Sequence, residues 1–120
     1  MNPQKRWTKV CQKQDLVAWS GVAALVDGEQ VALFYLPGSE EKVYAVSNID
    51  PFSGASVLAR GIIGSLKGST VIASPIYKQH FDLDSGQCLE DEEVRIRVWP
   101  VQISQQDIEI ALEDSKLSVH

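Results

Sequence analysis

Short apolar segments that are repeatedly closed by Gly, Pro, Asp or Ser most constrain the fold of this chain. The clearest example is Asp27-Gly28, which stands between the apolar runs 21–26 and 30–35. An Asp-Gly pair favours a type I′ turn, because both central residues of that turn need a positive φ angle. We therefore predict a β-hairpin here. Many short strands with such turns, and little helical periodicity, predict an all-β sandwich or barrel.

Alternation of apolar and polar residues predicts further strands along the rest of the chain. They cover roughly residues 7–10, 42–46, 62–69 with its turn, 70–73, 80–84 before a turn at 85–86, 94–99 and 106–112. Val94, Ile96 and Val98 are expected to share one face of their strand. Residues 56–61 predict one helical turn that ends at Gly61, because glycine adopts the left-handed cap conformation at low cost.

Length and charge limit the classes of function open to the chain. Its 120 residues, 44% of them hydrophobic, predict a single domain over 1–120, with a core at about 7–112 and a polar tail at 113–120. Its 11 Lys and Arg against 16 Asp and Glu give a net charge of −5, which argues against nucleic acid as a partner because phosphate binding needs a basic surface.

No apolar run approaches the roughly 20 residues that span a bilayer, and no signal peptide is recognised. We expect a cytoplasmic protein with no membrane role.

Two proline-centred loops, each placed after an apolar segment, form the candidate functional region. The first reads Ser-Asn-Ile-Asp-Pro-Phe-Ser-Gly over residues 47–54, and the second reads Ala-Ser-Pro-Ile-Tyr-Lys-Gln-His-Phe over residues 73–81. Such loops often hold a site on a rigid scaffold. These loops are poor in side chains that act as catalysts or metal ligands, because neither contains a cysteine and their only histidine is His80. We therefore expect no catalytic residue and no metal ligand in this chain.

The two loops and the apolar segments before them resemble a Rieske-type [2Fe–2S] ferredoxin domain, and the resemblance covers about residues 7–112. In that family the loops read Cys-Pro-His-x-Gly and Cys-Pro-x-His, and their two Cys and two His hold the cluster. The four ligand positions fall on Asp50, Phe52, Ser74 and Tyr77, none of which is a ligand in the family. Because Pro51, Gly54 and Pro75 are kept, the resemblance implies a Rieske-type fold from which the cluster is absent. These side chains cannot supply the thiolates and imidazoles that the cluster needs.

The chain resembles, more specifically, the small subunit of bacterial cytoplasmic NADH-dependent nitrite reductase. This resemblance rests on the sequence Asn-Ile-Asp-Pro-Phe at 48–52 and on the acidic stretch at 90–92. This resemblance implies an accessory, non-catalytic chain that itself holds no cofactor. Its implied partner is the large subunit, which carries FAD, an iron–sulfur cluster and sirohaem and reduces nitrite to ammonium in nitrate assimilation or nitrite detoxification.

Alternative interpretations stay open at this stage. The chain could be a stand-alone β-sandwich module for protein–protein interaction, or a Rieske-type electron-transfer protein. Phe52 and Tyr77 either fill the space of a missing cluster or point outward as a docking patch. Asp50 is interpreted as a turn starter whose carboxylate accepts nearby backbone N–H groups. Cys11 and Cys88 are expected to be reduced thiols.

Overall fold

The computed structural model describes residues 5–113 of the chain, which form an all-β architecture. Its strands are β1 Lys5–Gln12, β2 Ser20–Val26, β3 Glu29–Leu36, β4 Lys42–Ser47, β5 Ile62–Leu66, β6 Ser69–Ala73, β7 His80–Asp82, β8 Val98–Trp99, β9 Val101–Ser104 and β10 Asp107–Glu113. Two 3-10 helical turns, Lys13–Asp15 and Leu58–Arg60, complete the set. Within this part of the chain, neither helical turn has the length or the apolar character of a membrane-spanning helix. The residues of the predicted tail beyond 113 lie outside the described part.

Three antiparallel sheets make up the fold. The central sheet has the order β2-β3-β4-β8, and it is accompanied by the sheets β1-β10-β9 and β5-β6-β7. The predicted all-β class is therefore confirmed.

Strand β3 explains how the three sheets pack, because it is buried on both faces. Side chains on one face, including Ala32 and Phe34, join an apolar cluster with residues of β6 and β7. Side chains on the other face, including Val31 and Leu33, join a second cluster with residues of β10. Successive residues of a strand point to opposite sides of its sheet. The sheet β5-β6-β7 thus covers one face of the central sheet, and β1-β10-β9 covers the other.

The hairpin predicted from Asp27-Gly28 is confirmed. Strands β2 and β3 pair in a continuous antiparallel register that ends at Val26 and Glu29. Asp27 has a φ of 49° and Gly28 a φ of 82°, as a type I′ turn requires. The predicted strand over 106–112 is also confirmed as β10, whose Ile108 and Ile110 are fully buried.

The helical turn before Gly61 is present, but its predicted left-handed cap is wrong. Gly61 has a φ of −73° and a ψ of 173°, which is extended backbone that any residue can adopt. Glycine is needed here because of a close approach. A Cβ atom at this position would lie 2.4 Å from the carbonyl oxygen of Ala73 and 2.7 Å from the Ile72 side chain.

The strand predicted over 94–99 is wrong for most of its length. Only Val98 and Trp99 form β8, because the regular ladder with β4 is limited to these two residues, and Arg97 adds a single bond to it by accepting the Ser47 N–H at 2.8 Å. The residues before them bond to the turn at 82–87: Arg95 pairs with Gln87, and Ile96 N–H donates to the Gly86 carbonyl at 2.8 Å. The predicted face is correct, since Ile96 is buried in the first cluster and both Val94 and Val98 pack against it.

Candidate functional site

Each of the two predicted loops is closed by the same pair of backbone hydrogen bonds. In the first loop, Asp50 N–H donates to the Ala55 carbonyl at 2.9 Å, and Gly54 N–H donates to the Asp50 carbonyl at 2.7 Å. In the second, Ser74 N–H donates to the Gln79 carbonyl at 2.9 Å, and Lys78 N–H donates to the Ser74 carbonyl at 3.1 Å. Asp50 and Ser74 therefore hold equivalent places in two turns of one geometry.

The residue that starts each turn also accepts a hydrogen bond from the backbone two positions later. Asp50 Oδ1 accepts the Phe52 N–H at 2.8 Å, and Ser74 Oγ accepts the Ile76 N–H at 3.3 Å. The prediction that Asp50 starts a turn in this way is confirmed. The fifth residue of each turn has a positive φ angle, 78° at Gly54 and 67° at Lys78.

A third turn of this kind runs from Asp82 to Gln87. Asp82 N–H donates to the Gln87 carbonyl at 2.9 Å, and Gly86 N–H donates to the Asp82 carbonyl at 2.7 Å. Asp82 Oδ1 accepts the Asp84 N–H at 2.7 Å. In sequence, the three copies share a polar starter and, four residues later, a residue that can adopt a positive φ angle. Sequence reasoning identified each turn separately and missed this repetition.

The first two turns are tied to each other through their starter residues. Ser74 Oγ donates to Asp50 Oδ2 at 2.5 Å, and both side chains are buried, with Asp50 fully inaccessible and Ser74 1% exposed. Both oxygens of the Asp50 carboxylate thus have hydrogen-bond donors, which lowers the cost of burying a polar group. We call this pair the Asp50–Ser74 bridge.

The aromatic residues at the other two positions are less buried. Phe52 is 37% exposed, and its ring centroid lies 6.3 Å from that of Phe81 with the planes tilted by 43°. Tyr77 is 58% exposed. Tyr77 is therefore not a buried filler, and Phe52 packs against the buried Phe81 while remaining partly exposed. This exposure agrees with the interpretation in which the rings point outward.

His80 lies at the end of the second loop and is engaged elsewhere. Its Nδ1 atom is 2.5 Å from Glu90 Oε2, and its backbone N–H donates to Glu90 Oε1 at 2.8 Å. Burial is the largest single influence on the pKa of Glu90 and raises it, but the hydrogen bonds and electrostatic attraction of His80, together with a hydrogen bond from Cys88, outweigh burial, so the pKa is lowered. The His80 side chain is therefore bound to the Glu90 carboxylate and not to the Asp50–Ser74 bridge.

Neither cysteine belongs to the two loops, although Cys88 pairs in an isolated antiparallel bridge with Phe81 at the end of the second loop. Cys88 is buried in the first apolar cluster, and Cys11 lies on β1, and both are free thiols. Burial raises the pKa of each thiol, which disfavours the thiolate. Neither thiol takes part in a disulfide, and their reduced state in the cell stays a prediction.

The donor set at the four loop positions does not fit a [2Fe–2S] cluster. A Rieske centre needs two thiolates and two imidazoles. Here the available groups are a carboxylate and a hydroxyl that bond to each other, a phenyl ring without a lone pair, and an exposed phenol. Across residues 5–113, no three His, Cys, Asp or Glu side chains gather in a group that could hold a metal ion.

Comparison with known proteins identifies the family. The family model of the Rieske-like [2Fe-2S] domain matches residues 6–111. The nitrite reductase (NADH) small subunit of Salmonella typhimurium is 43% identical over 98 residues, which are 82% of this chain and 90% of that protein. The solution structure of the nitrite reductase [NAD(P)H] small subunit from Erwinia carotovora is 42% identical with a TM-score of 0.76, and the match covers 90% of this chain and 82% of that one.

A third relative has a different organisation. The nitrite reductase [NAD(P)H] large subunit of Klebsiella oxytoca is 34% identical over 101 residues, which are 84% of this chain but only 10% of that protein. A domain like this one is therefore part of a much longer polypeptide there. Taken with the fold and the loop geometry, these matches place the chain in the family of nitrite reductase (NADH) small subunits, which is built on the Rieske-like domain.

Proposed function

We propose that this chain is a non-catalytic small subunit of cytoplasmic NADH-dependent nitrite reductase, that it holds no cofactor itself, and that it docks on the large subunit. The reduction of nitrite to ammonium then takes place on the large subunit, with FAD, an iron–sulfur cluster and sirohaem. We further propose that Asp50, Phe52, Ser74 and Tyr77 are the degenerate positions of a lost cluster.

The Asp50–Ser74 bridge is the observation that carries this proposal. The two residues start equivalent turns and face each other at 2.5 Å, at the positions that the Rieske resemblance assigns to the two cysteines. A direct hydrogen bond between them leaves no room for a metal between their oxygen atoms. It also supplies a cross-link between the loops, which in a Rieske centre is the role of the cluster.

Metal analysis tests the cofactor-free part of the proposal. The protein is purified under anaerobic conditions, and its iron, acid-labile sulfide and visible absorption are measured. We expect none of the three signals above background. Stoichiometric iron with visible absorption bands would overturn the proposal.

Co-purification tests the partner. The chain and the cognate large subunit are co-expressed with a tag on the large subunit only, and we expect both to elute together. Deletion of the small subunit should reduce nitrite turnover or the yield of assembled enzyme. Failure to associate, with unchanged turnover on deletion, would leave the stand-alone interaction module as the better interpretation.

Restoring the ligands tests the assignment of the four positions. A chain that carries Asp50→Cys, Phe52→His, Ser74→Cys and Tyr77→His has the donor set of a Rieske centre, and we expect cluster reconstitution to require all four changes. The single variant Asp50→Cys serves as the control and should remain colourless. If this single variant assembled a cluster, the ligand positions would be assigned wrongly.

A further inference from the structure

The tips of the two loops carry a group of exposed apolar side chains. Phe52, Ile76 and Tyr77 are 37%, 41% and 58% exposed, and the prolines at 51 and 75 are exposed as well. We call these five residues the loop-tip surface. They form one surface because they directly follow Asp50 and Ser74, whose side chains bond to each other. Exposed apolar patches of this kind typically mark interaction sites.

Charge is nearly absent from this surface, although the chain as a whole carries a net charge of −5. The only carboxylate of the two loop tips belongs to Asp50, which is fully buried. Lys78 is their only lysine or arginine. The core of a protein–protein interface is depleted in charged residues and enriched in aromatic residues, and the loop-tip surface has both properties.

The base beneath this surface is rigid. Each loop is closed by two backbone hydrogen bonds, and the Asp50–Ser74 bridge joins the loops. Phe52 additionally packs against the buried ring of Phe81. Side chains held in place before binding lose less conformational entropy when a partner covers them.

We propose that the loop-tip surface is the face that docks on the nitrite reductase large subunit, against an apolar and uncharged patch of that protein. This inference rests on the proposed function. The choice of partner is supported by the Klebsiella oxytoca relative, in which a domain like this one makes up 10% of a large-subunit polypeptide. There the domain and the remainder of the large subunit belong to one chain, so the remainder of that chain is available to cover a surface of the domain.

Charge insertion with a matched control tests the inference. Ile76→Glu and Tyr77→Glu each place a carboxylate on the loop-tip surface. Val17→Glu is the control, because Val17 is 56% exposed and precedes Ala18, which pairs with Tyr35 at the end of β3 opposite to the first loop. The Kd for the cognate large subunit is measured by titration calorimetry, and thermal unfolding verifies that each variant is folded. Tyr77→Ala provides a milder change at the same position.

We expect each loop-tip glutamate to weaken binding by about tenfold or more, and Tyr77→Ala to weaken it by a smaller factor. Val17→Glu should bind within about twofold of the unmodified chain. If the unmodified chain does not bind the large subunit, the proposed function fails. If it binds and the loop-tip variants bind equally well, only the docking surface is wrong.

Two further results would also overturn the docking surface. Loss of binding in Val17→Glu alone would place the interface at the other end of β3. Self-association of the chain that the loop-tip variants abolish, with binding of the large subunit unchanged, would make a second copy the occupant. Sedimentation velocity of the isolated chain distinguishes this last case.

Discussion

Replacement of Asp50 by alanine is the most direct test of how the two loops are held together. The change removes both acceptor oxygens and leaves the Ser74 hydroxyl and the Phe52 N–H without their partner. A buried polar group that loses its partner costs about 1–3 kcal/mol. Ser74 is 1% exposed, so its hydroxyl bears that full cost, whereas the N–H of the partly exposed Phe52 can regain water. We therefore expect Asp50→Ala to lower the free energy of unfolding by about 2–4 kcal/mol.

Asp82→Ala is the matched control. Asp82 starts the third turn of the same geometry, and its Oδ1 accepts the Asp84 N–H at 2.7 Å and the Ser85 N–H at 3.0 Å, but within residues 5–113 its side chain makes no hydrogen bond to another turn. Its loss should cost about 1 kcal/mol, because exposed backbone groups are rehydrated. The difference between the two alanine variants isolates the contribution of the Asp50–Ser74 bridge from that of the turn itself.

Urea unfolding followed by tryptophan fluorescence measures these effects, since Trp99 is buried in the second cluster. Ser74→Ala and the double variant with Asp50→Ala complete a double-mutant cycle, and we expect a coupling energy of about 1–3 kcal/mol. Equal losses in Asp50→Ala and Asp82→Ala, with a coupling energy below about 0.5 kcal/mol, would refute the reasoning. Equal m values across the variants ensure that the comparison concerns stability and not the unfolded state.

Three further measurements follow from the structure. Gly61→Ala should lower the free energy of unfolding by about 1–3 kcal/mol, because its Cβ would lie 2.4 Å from a carbonyl oxygen, whereas Gly64→Ala has open space and should be nearly neutral in the same urea assay. Burial, the largest single influence, raises the pKa of Glu90, but the hydrogen bonds and electrostatic attraction of His80, together with a hydrogen bond from Cys88, outweigh it and lower the pKa from its usual 4.5. The ionised Glu90 therefore stabilises the fold at pH values above its ordinary pKa, and this contribution is lost as the pH falls through the lower pKa of the folded state. On acidification, the free energy of unfolding should fall more steeply in the unmodified chain than in Glu90→Gln. Cys88 is 2% exposed and burial raises its pKa, so a thiol reagent should modify it slowly in the native protein and rapidly in urea; rapid native labelling would contradict this.

The sequence predicted those parts of the structure that depend on neighbouring residues. The Asp27-Gly28 hairpin follows from a local demand for positive φ angles, and the buried face of β10 follows from alternation. The turn at Asp50 was predicted for the same reason, since its carboxylate bonds to a backbone N–H two positions away. The short β9 strand was missed, because four residues give too little periodicity to distinguish a strand from a loop.

Only the tertiary structure determined the contacts between residues that are far apart in the sequence. Asp50 and Ser74 are 24 positions apart, and nothing in either loop alone indicates that their side chains meet in a buried hydrogen bond. Gly61 is required by the carbonyl of Ala73 on the neighbouring strand rather than by its own φ angle. Local sequence determines backbone geometry through sterics and short-range hydrogen bonds, whereas burial and close approach arise only when the sheets pack. For that reason the turns could be predicted from the residues themselves, and the bridge between them could not.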